Sequence, residues 1–125
     1  MPTNVAHMSD VTVLHNPKCS TSRAAIETLD ATGAQAEVRQ YLKEPLDEAA
    51  LRDLIGKLED EPTDLVRRDS FFKEQGLTDA DVATVDQIVA VLVEHPRLMQ
   101  RPVIVKGEAA IIGRPKDRVA AFLAG

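Results

Sequence analysis

Cysteine is almost missing from this sequence. Its 125 residues contain one, Cys19, so no intrachain disulfide can form and no cysteine cluster can hold zinc. Tryptophan is absent and aromatics reach only 3%, which leaves little material for a surface that stacks nucleic-acid bases. Positive charge is the minority, 15 Lys and Arg against 20 Asp and Glu for a net charge of −5. That balance argues against nucleic acid or an anionic membrane surface as the main partner. No apolar run approaches the roughly 20 residues that a membrane-spanning helix needs. The opening Met1–Asp10 lacks the basic start and sustained apolar stretch of a secretory signal, so a cytoplasmic location is expected. The His7-Met8 pair reads as a cloning junction. Residues 1–7 are therefore expected to be a cloning remnant, and residues 1–10 a disordered N-terminus outside the fold.

What is present describes a globular protein, with 44% hydrophobic and 28% charged residues. This length suits one domain with its own core, and no repeat, low-complexity tract or linker divides it, so a single domain over 11–125 is expected. Charge is uneven along it. Residues 43–90 carry 6 basic and 13 acidic side chains, whereas residues 91–125 carry 6 basic and 3 acidic. The middle is an acidic, solvated block and the last third is basic.

Val11–Leu14 is short and β-branched and runs into His15-Asn16-Pro17, the pattern of a buried strand entering a turn. Ala25, Ile26 and Leu29 then recur at helical spacing with Gly33 as a stop, which predicts a helix starting at or beside Cys19 and ending near Thr32. Ala36–Tyr41 reads as a second strand, with Val38 its best apolar member. Asp47 caps a helix that carries Leu51, Leu54, Ile55 and Leu58 on one face. Residues 59–75 are polar and predict a short helix, with Pro62 at its start, plus a connection. Thr84 and Gln87 form a capping box before Ile88, Val89 and Leu92, and His95-Pro96 closes that helix. Val103–Lys106, Gly107-Glu108 and Ala109–Ile112 make a hairpin, and Pro115 starts a last helix bearing Val119, Phe122 and Leu123. This order predicts an α/β fold, a mixed four-stranded sheet with flanking helices and a helical insertion between strand 2 and the final hairpin.

A cysteine reacts as its thiolate, and a helix N-terminus favours the anion through unpaired N–H groups and partial positive charge. Cys19 is placed for that effect. Ser22, completing Cys-x-x-Ser, can put a hydroxyl beside the sulfur, and His15 can turn toward it as a cation or a donor. The same N–H groups hold oxyanions, so the segment from His15 to Arg23 suits an anion cradle around a nucleophile. Spacing alone also allows Cys19 to be a small buried hydrophobe, His15 a structural residue and Asn16 a turn-former. Arg67, Arg101 and Arg114 each sit at an element end, where loops gather into sites, or are solvated surface charges.

The motifs His15-Asn-Pro-Lys-Cys-Ser-Thr-Ser-Arg23, Arg67 in Leu65-Val-Arg-Arg68, Glu94-His95-Pro96, Gln100-Arg101-Pro102-Val103 and Gly113-Arg114-Pro115 occur in one order. Together they resemble the glutaredoxin-coupled arsenate reductases, whose signature has the form His-Asn-Pro-x-Cys-x-Thr-Ser-Arg, in a wider group that includes thiol-responsive transcription regulators. The resemblance runs from about Val11 to Leu123. It implies a thioredoxin-like fold and a cis peptide at Arg101-Pro102. By similarity Cys19 is the nucleophile that attacks arsenate, His15 and Ser22 tune the thiolate, and Arg67, Arg101 and Arg114, with Asn16, bind the oxyanion. It also implies glutathione as co-substrate and glutaredoxin as partner, in agreement with the absence of a second cysteine to close a disulfide. No bound metal or cofactor is expected, and no exposed apolar seam calls for anything but a monomer. Two alternatives remain at this point. One is a thiol-responsive regulatory or adaptor protein that binds a partner such as RNA polymerase, although Ser22 removes the Cys-x-x-Cys switch. The other is a monothiol glutathione-dependent oxidoreductase working through Cys19.

Overall fold

The computed structural model of the protein describes residues 11–33 and 36–124. The expected cloning remnant and disordered N-terminus at 1–10 lie outside those residues. The elements are β1 (Val11–His15), α1 (Ser20–Thr32), β2 (Ala36–Gln40), α2 (Glu48–Lys57), α3 (Ser70–Glu74), α4 (Val85–Glu94), β3 (Val103–Lys106), β4 (Ala109–Ile112) and α5 (Arg118–Ala124). Short 3-10 turns cover Pro62–Leu65, Asp79–Val82 and Pro96–Leu98. The strands form one mixed sheet in the order β2-β1-β3-β4, with β1 and β2 parallel and the other two pairs antiparallel. A parallel pair needs a long crossover, and α1 supplies it between β1 and β2. No described helix is long and apolar enough to cross a membrane.

The central strands are apolar on both faces because helices cover both. Val11, Val13, Ile104 and Ile111 pack with Ala25 and Leu29 of α1 and Val119 of α5. The alternate residues Leu14, Val103, Ala110 and Ile112 pack with α2 and α4. Strand geometry sends successive side chains to opposite faces, and this alternation is that rule in three strands. Leu65, Phe72, Val82 and Leu98 from the segment between α2 and β3 are buried in the second cluster. Each such side chain contributes about 1.5–3 kcal/mol, so the inserted helices are part of the core.

Local signals explain most of the element ends. Asp47 accepts the Ala50 N–H at 2.8 Å, and Thr84 and Gln87 form the reciprocal capping box that starts α4. Gly33 ends α1 with φ 74° and Gly107 turns the β3–β4 hairpin with φ 61°, backbone that suits glycine. One expectation needs correction. The last helix begins at Arg118, three residues after Pro115, because residues 115–117 form a turn. Val38 is 47% exposed. It lies opposite Val13 in the register, on the margin of the sheet.

The register also assembles one end of the sheet. Leu14 lies opposite Val103, and Val103 opposite Ile112. The turn after β1, the Arg101-Pro102 entry to β3 and the Gly113-Arg114 exit from β4 therefore become neighbours. The Arg101-Pro102 peptide is cis, and the Gly113 N–H donates to the Pro102 carbonyl at 2.8 Å. A Cβ on Gly113 would stand 2.9 Å from the Pro102 ring and 3.1 Å from Val119, so only glycine fits this crossing.

Candidate active site

The turn that carries Cys19 is built by its neighbours. The Cys19 N–H donates to the Asn16 carbonyl at 3.0 Å. The Asn16 side-chain oxygen accepts the Lys18 N–H, also at 3.0 Å, an Asx turn of the kind asparagine favours. Arg23 reaches back from α1 to the Pro17 carbonyl at 2.9 Å. Cys19 is then the N-cap of α1 in extended conformation, with no side-chain cap bond, so N–H groups of the first turn are free to serve its sulfur.

Cys19 is partly buried, and its thiol sits below the usual thiol range. Burial alone pushes it up. The Ser22 N–H, the Arg114 charge, the Thr21 N–H and a hydrogen bond from the Arg101 side chain together outweigh that burial. The guanidinium of Arg114 spans two contacts, donating from Nη2 to the sulfur at 3.3 Å and from Nε to the Arg101 carbonyl at 2.8 Å. Arg101 donates from Nη1 to the Arg97 carbonyl at 3.0 Å, while its buried Nε has no hydrogen-bond partner among the described residues. The Cys19 sulfur, two guanidiniums and an unused donor occupy one place.

The remaining candidates take other positions. The Ser22 side chain is fully buried, but its hydroxyl is not on the sulfur; it accepts the Asn16 N–H at 3.0 Å and is hydrogen-bonded to His15 Nδ1 at 2.7 Å. Only its backbone serves the thiolate. His15 is held below its ordinary range by burial, with the Arg23 charge adding to it, and its ring is paired with the Ser22 hydroxyl. The expectation that His15 turns toward Cys19 as a cation or a donor is corrected: its Nδ1 is bonded to Ser22, and it supports the turn. Asn16 is buried and committed to protein partners, the turn on one end and Tyr41 on the other. Its side-chain oxygen shapes the turn that carries Cys19. Arg67 is tethered to this end of the sheet, its N–H donating to the Leu98 carbonyl at 2.8 Å beside the Val66–Met99 bridge. Its guanidinium pairs with Asp69 at 3.4 Å and makes no bond to Cys19.

Sequence reasoning missed Tyr41. Its ring is 1% exposed. Its hydroxyl donates to the Met99 carbonyl at 3.4 Å and lies within reach of the Arg101 and Asn16 side chains. Burial pushes its phenol up against the opposing pull of Arg101. The available signal was that this is the sequence's single tyrosine, placed directly after β2. Arg68, next to Arg67, points into the insertion, where it bonds the Thr63 and Val66 carbonyls at 2.6 and 2.7 Å. Cavity size does not locate this chemistry. A cleft of about 570 Å³ between β4 and α5, lined by residues such as Lys106 and Phe122, contains none of these side chains.

A family model described as the ArsC family matches residues 14–122. The chain belongs to the ArsC family. It is 35% identical over 118 residues to an arsenate reductase of Neisseria meningitidis serogroup B, covering 93% of this chain and all of that relative. It is 37% identical over 111 residues to the uncharacterized protein YfgD of Escherichia coli strain K12, covering 87% and 92%. An arsenate reductase structure from Vibrio cholerae superposes with a TM-score of 0.80 at 33% identity, over 89% of this chain and 95% of that one. The thioredoxin-like mixed sheet of this ArsC chain, with its helical insertion, is thus the fold of the family. Among the described residues, no group of three or more His, Cys, Asp or Glu side chains is placed to hold a metal ion.

Proposed function

We propose that this ArsC-family protein reduces arsenate to arsenite, with Cys19 as nucleophile and glutathione, working with glutaredoxin, as the external reductant. The observation that carries the reading is the 3.3 Å contact of Arg114 with the Cys19 sulfur, beside an Arg101 whose buried Nε is unused. Arsenate is a dianion at neutral pH, so a thiolate can approach it only where fixed cations and N–H donors offset the repulsion. Arg101 and Arg114 provide this from two loops. Arg67, tethered nearby, supplies a third guanidinium once it exchanges Asp69 for an oxyanion oxygen.

In the first step the Cys19 sulfur forms a bond to arsenic(V), and one arsenate oxygen leaves as water after taking up protons. A glutathione thiolate displaces a second oxygen, again as water. A second thiol then attacks the glutathione sulfur. The disulfide so formed takes the sulfur away, and the electron pair of the broken arsenic–sulfur bond stays on arsenic as arsenic(III). Water releases arsenite and returns Cys19 as the thiol. The balance is two thiols oxidised to one disulfide for each arsenate reduced. With one cysteine in the sequence, both oxidised thiols come from outside.

The test is arsenite production in the presence of glutathione and glutaredoxin, with a glutathionylated peptide as a parallel substrate. Wild type is expected to turn over arsenate, and Cys19→Ser to lose that activity entirely. Substantial arsenite formation by Cys19→Ser, or a wild type that acts only on the peptide, would sink the reading.

A further inference from the structure

Arg114 leaves the chain from a turn that is held from outside by two residues far away in sequence. Asp60 lies in the segment after α2, which runs along the open edge of β4: the Glu59 N–H donates to the Ala110 carbonyl at 2.8 Å, beside a Leu58–Ala110 bridge. One Asp60 oxygen accepts the Ile112 N–H at 2.9 Å, and the other pairs with Arg118 Nη1 at 2.9 Å. The same Arg118 nitrogen donates to the Ile112 carbonyl at 2.9 Å and approaches the Arg114 carbonyl at 3.3 Å. The backbone is therefore gripped on both sides of Gly113, the residue that has no room for a side chain.

We propose that Asp60 and Arg118 form a clamp on the Ile112–Arg114 turn that positions the Arg114 guanidinium against Cys19, making both of them positioning residues for the thiolate. An arginine side chain is long and costly in entropy to order. Its two directed bonds, to the Arg101 carbonyl and to the sulfur, can be held together only if its starting backbone does not move. Neither Asp60 nor Arg118 has a bond to Cys19, so their influence passes through Arg114. The proposal rests on the reading of Cys19 as the attacking thiolate with Arg114 as its cation.

The experiment measures the rate of Cys19 alkylation by iodoacetamide as a function of pH, with no arsenate present. In Arg118→Met the midpoint is expected to rise by about half a pH unit or more, a roughly threefold loss of thiolate at pH values below it. In an Arg114→Met background the same substitution is expected to add nothing, because the element it positions is already gone. His15, Lys18, Arg23, Tyr41 and Arg101, the other charged or titratable groups around the thiol, are unchanged in every variant. Circular dichroism checks the fold. If Arg118→Met does not fold, Asp60→Asn, which keeps the shape and removes the ion pair, carries the same expectation. An unchanged midpoint in the folded variant, or an equal shift with and without Arg114, would overturn the clamp. Because the thiol is read without arsenate, a wild type that fails to reduce arsenate counts against the proposed function alone.

Discussion

Replacing Ser22 by alanine separates two jobs that one residue performs. The side chain is fully buried, and its oxygen takes the Asn16 N–H at 3.0 Å and bonds His15 Nδ1 at 2.7 Å. Alanine leaves both groups without that partner. An unsatisfied buried donor or acceptor costs about 1–3 kcal/mol. His15 keeps 9% of its surface exposed and recovers part of its loss from water, so the expected total is about 2–3 kcal/mol. Out of the roughly 5–15 kcal/mol that hold a domain folded, this is a large share. Urea unfolding should show a lower midpoint with an unchanged slope, the sign of a stability change without a change in surface exposed. The thiol should respond differently. The groups that lower it are the Ser22 and Thr21 backbone N–H groups, which alanine retains, and the Arg114 and Arg101 side chains, which are untouched. The pH midpoint of Cys19 alkylation should therefore stay within about 0.3 unit of wild type. A Ser22→Ala protein as stable as wild type, or one whose alkylation midpoint climbs by about a full unit, would refute this division of labour.

Neighbouring and distant arginines should part company in the same way. Arg101→Met is expected to lower kcat/KM for arsenate by about 10- to 150-fold, the worth of a charged hydrogen bond. Arg68→Met should leave KM near wild type yet destabilise the fold by about 1–3 kcal/mol, because the Arg68 guanidinium holds the Thr63 and Val66 carbonyls of the insertion; the reverse pattern would reject the assignment. Stability should also depend on Cys19 ionisation. The folded thiol titrates below the usual range, so between its folded value and the ordinary value of about 8.5 the unfolded chain binds more protons and stability rises with pH. That contribution is fully present above the unfolded value and is lost as pH falls through the folded one. The urea-unfolding difference between wild type and Cys19→Ser should therefore grow with pH and level off, and a flat difference would reject it.

Much of this molecule was written in short-range chemistry. The Thr84–Gln87 capping box, the Asp47 cap, the Gly33 stop and the Gly107 hairpin turn depend on residues a few positions apart, and the elements formed where those signals stand. Cys19 at the start of α1 was legible for the same reason, since the strand, turn and helix around it are continuous in sequence. Its arginine partners were recognisable as motifs, but their convergence was not local: Arg101 and Arg114 meet Cys19 because β1, β3 and β4 pair in one particular register. Side-chain direction was further out of reach. The Ser22 hydroxyl turned to His15 and Asn16, His15 became a support of the turn, and Arg67 lay against Asp69, each choice set by the partners that folding brought within reach. Tyr41 and the Asp60–Arg118 pair carried no sequence signal tying them to the thiol. The chain by itself determined the elements and the place of Cys19 at a helix start, because caps, turns and periodicity act over one or two turns of backbone. Only the tertiary structure decided which charges face the sulfur, because electrostatics and hydrogen bonding act through space, between segments that the sheet alone brings together.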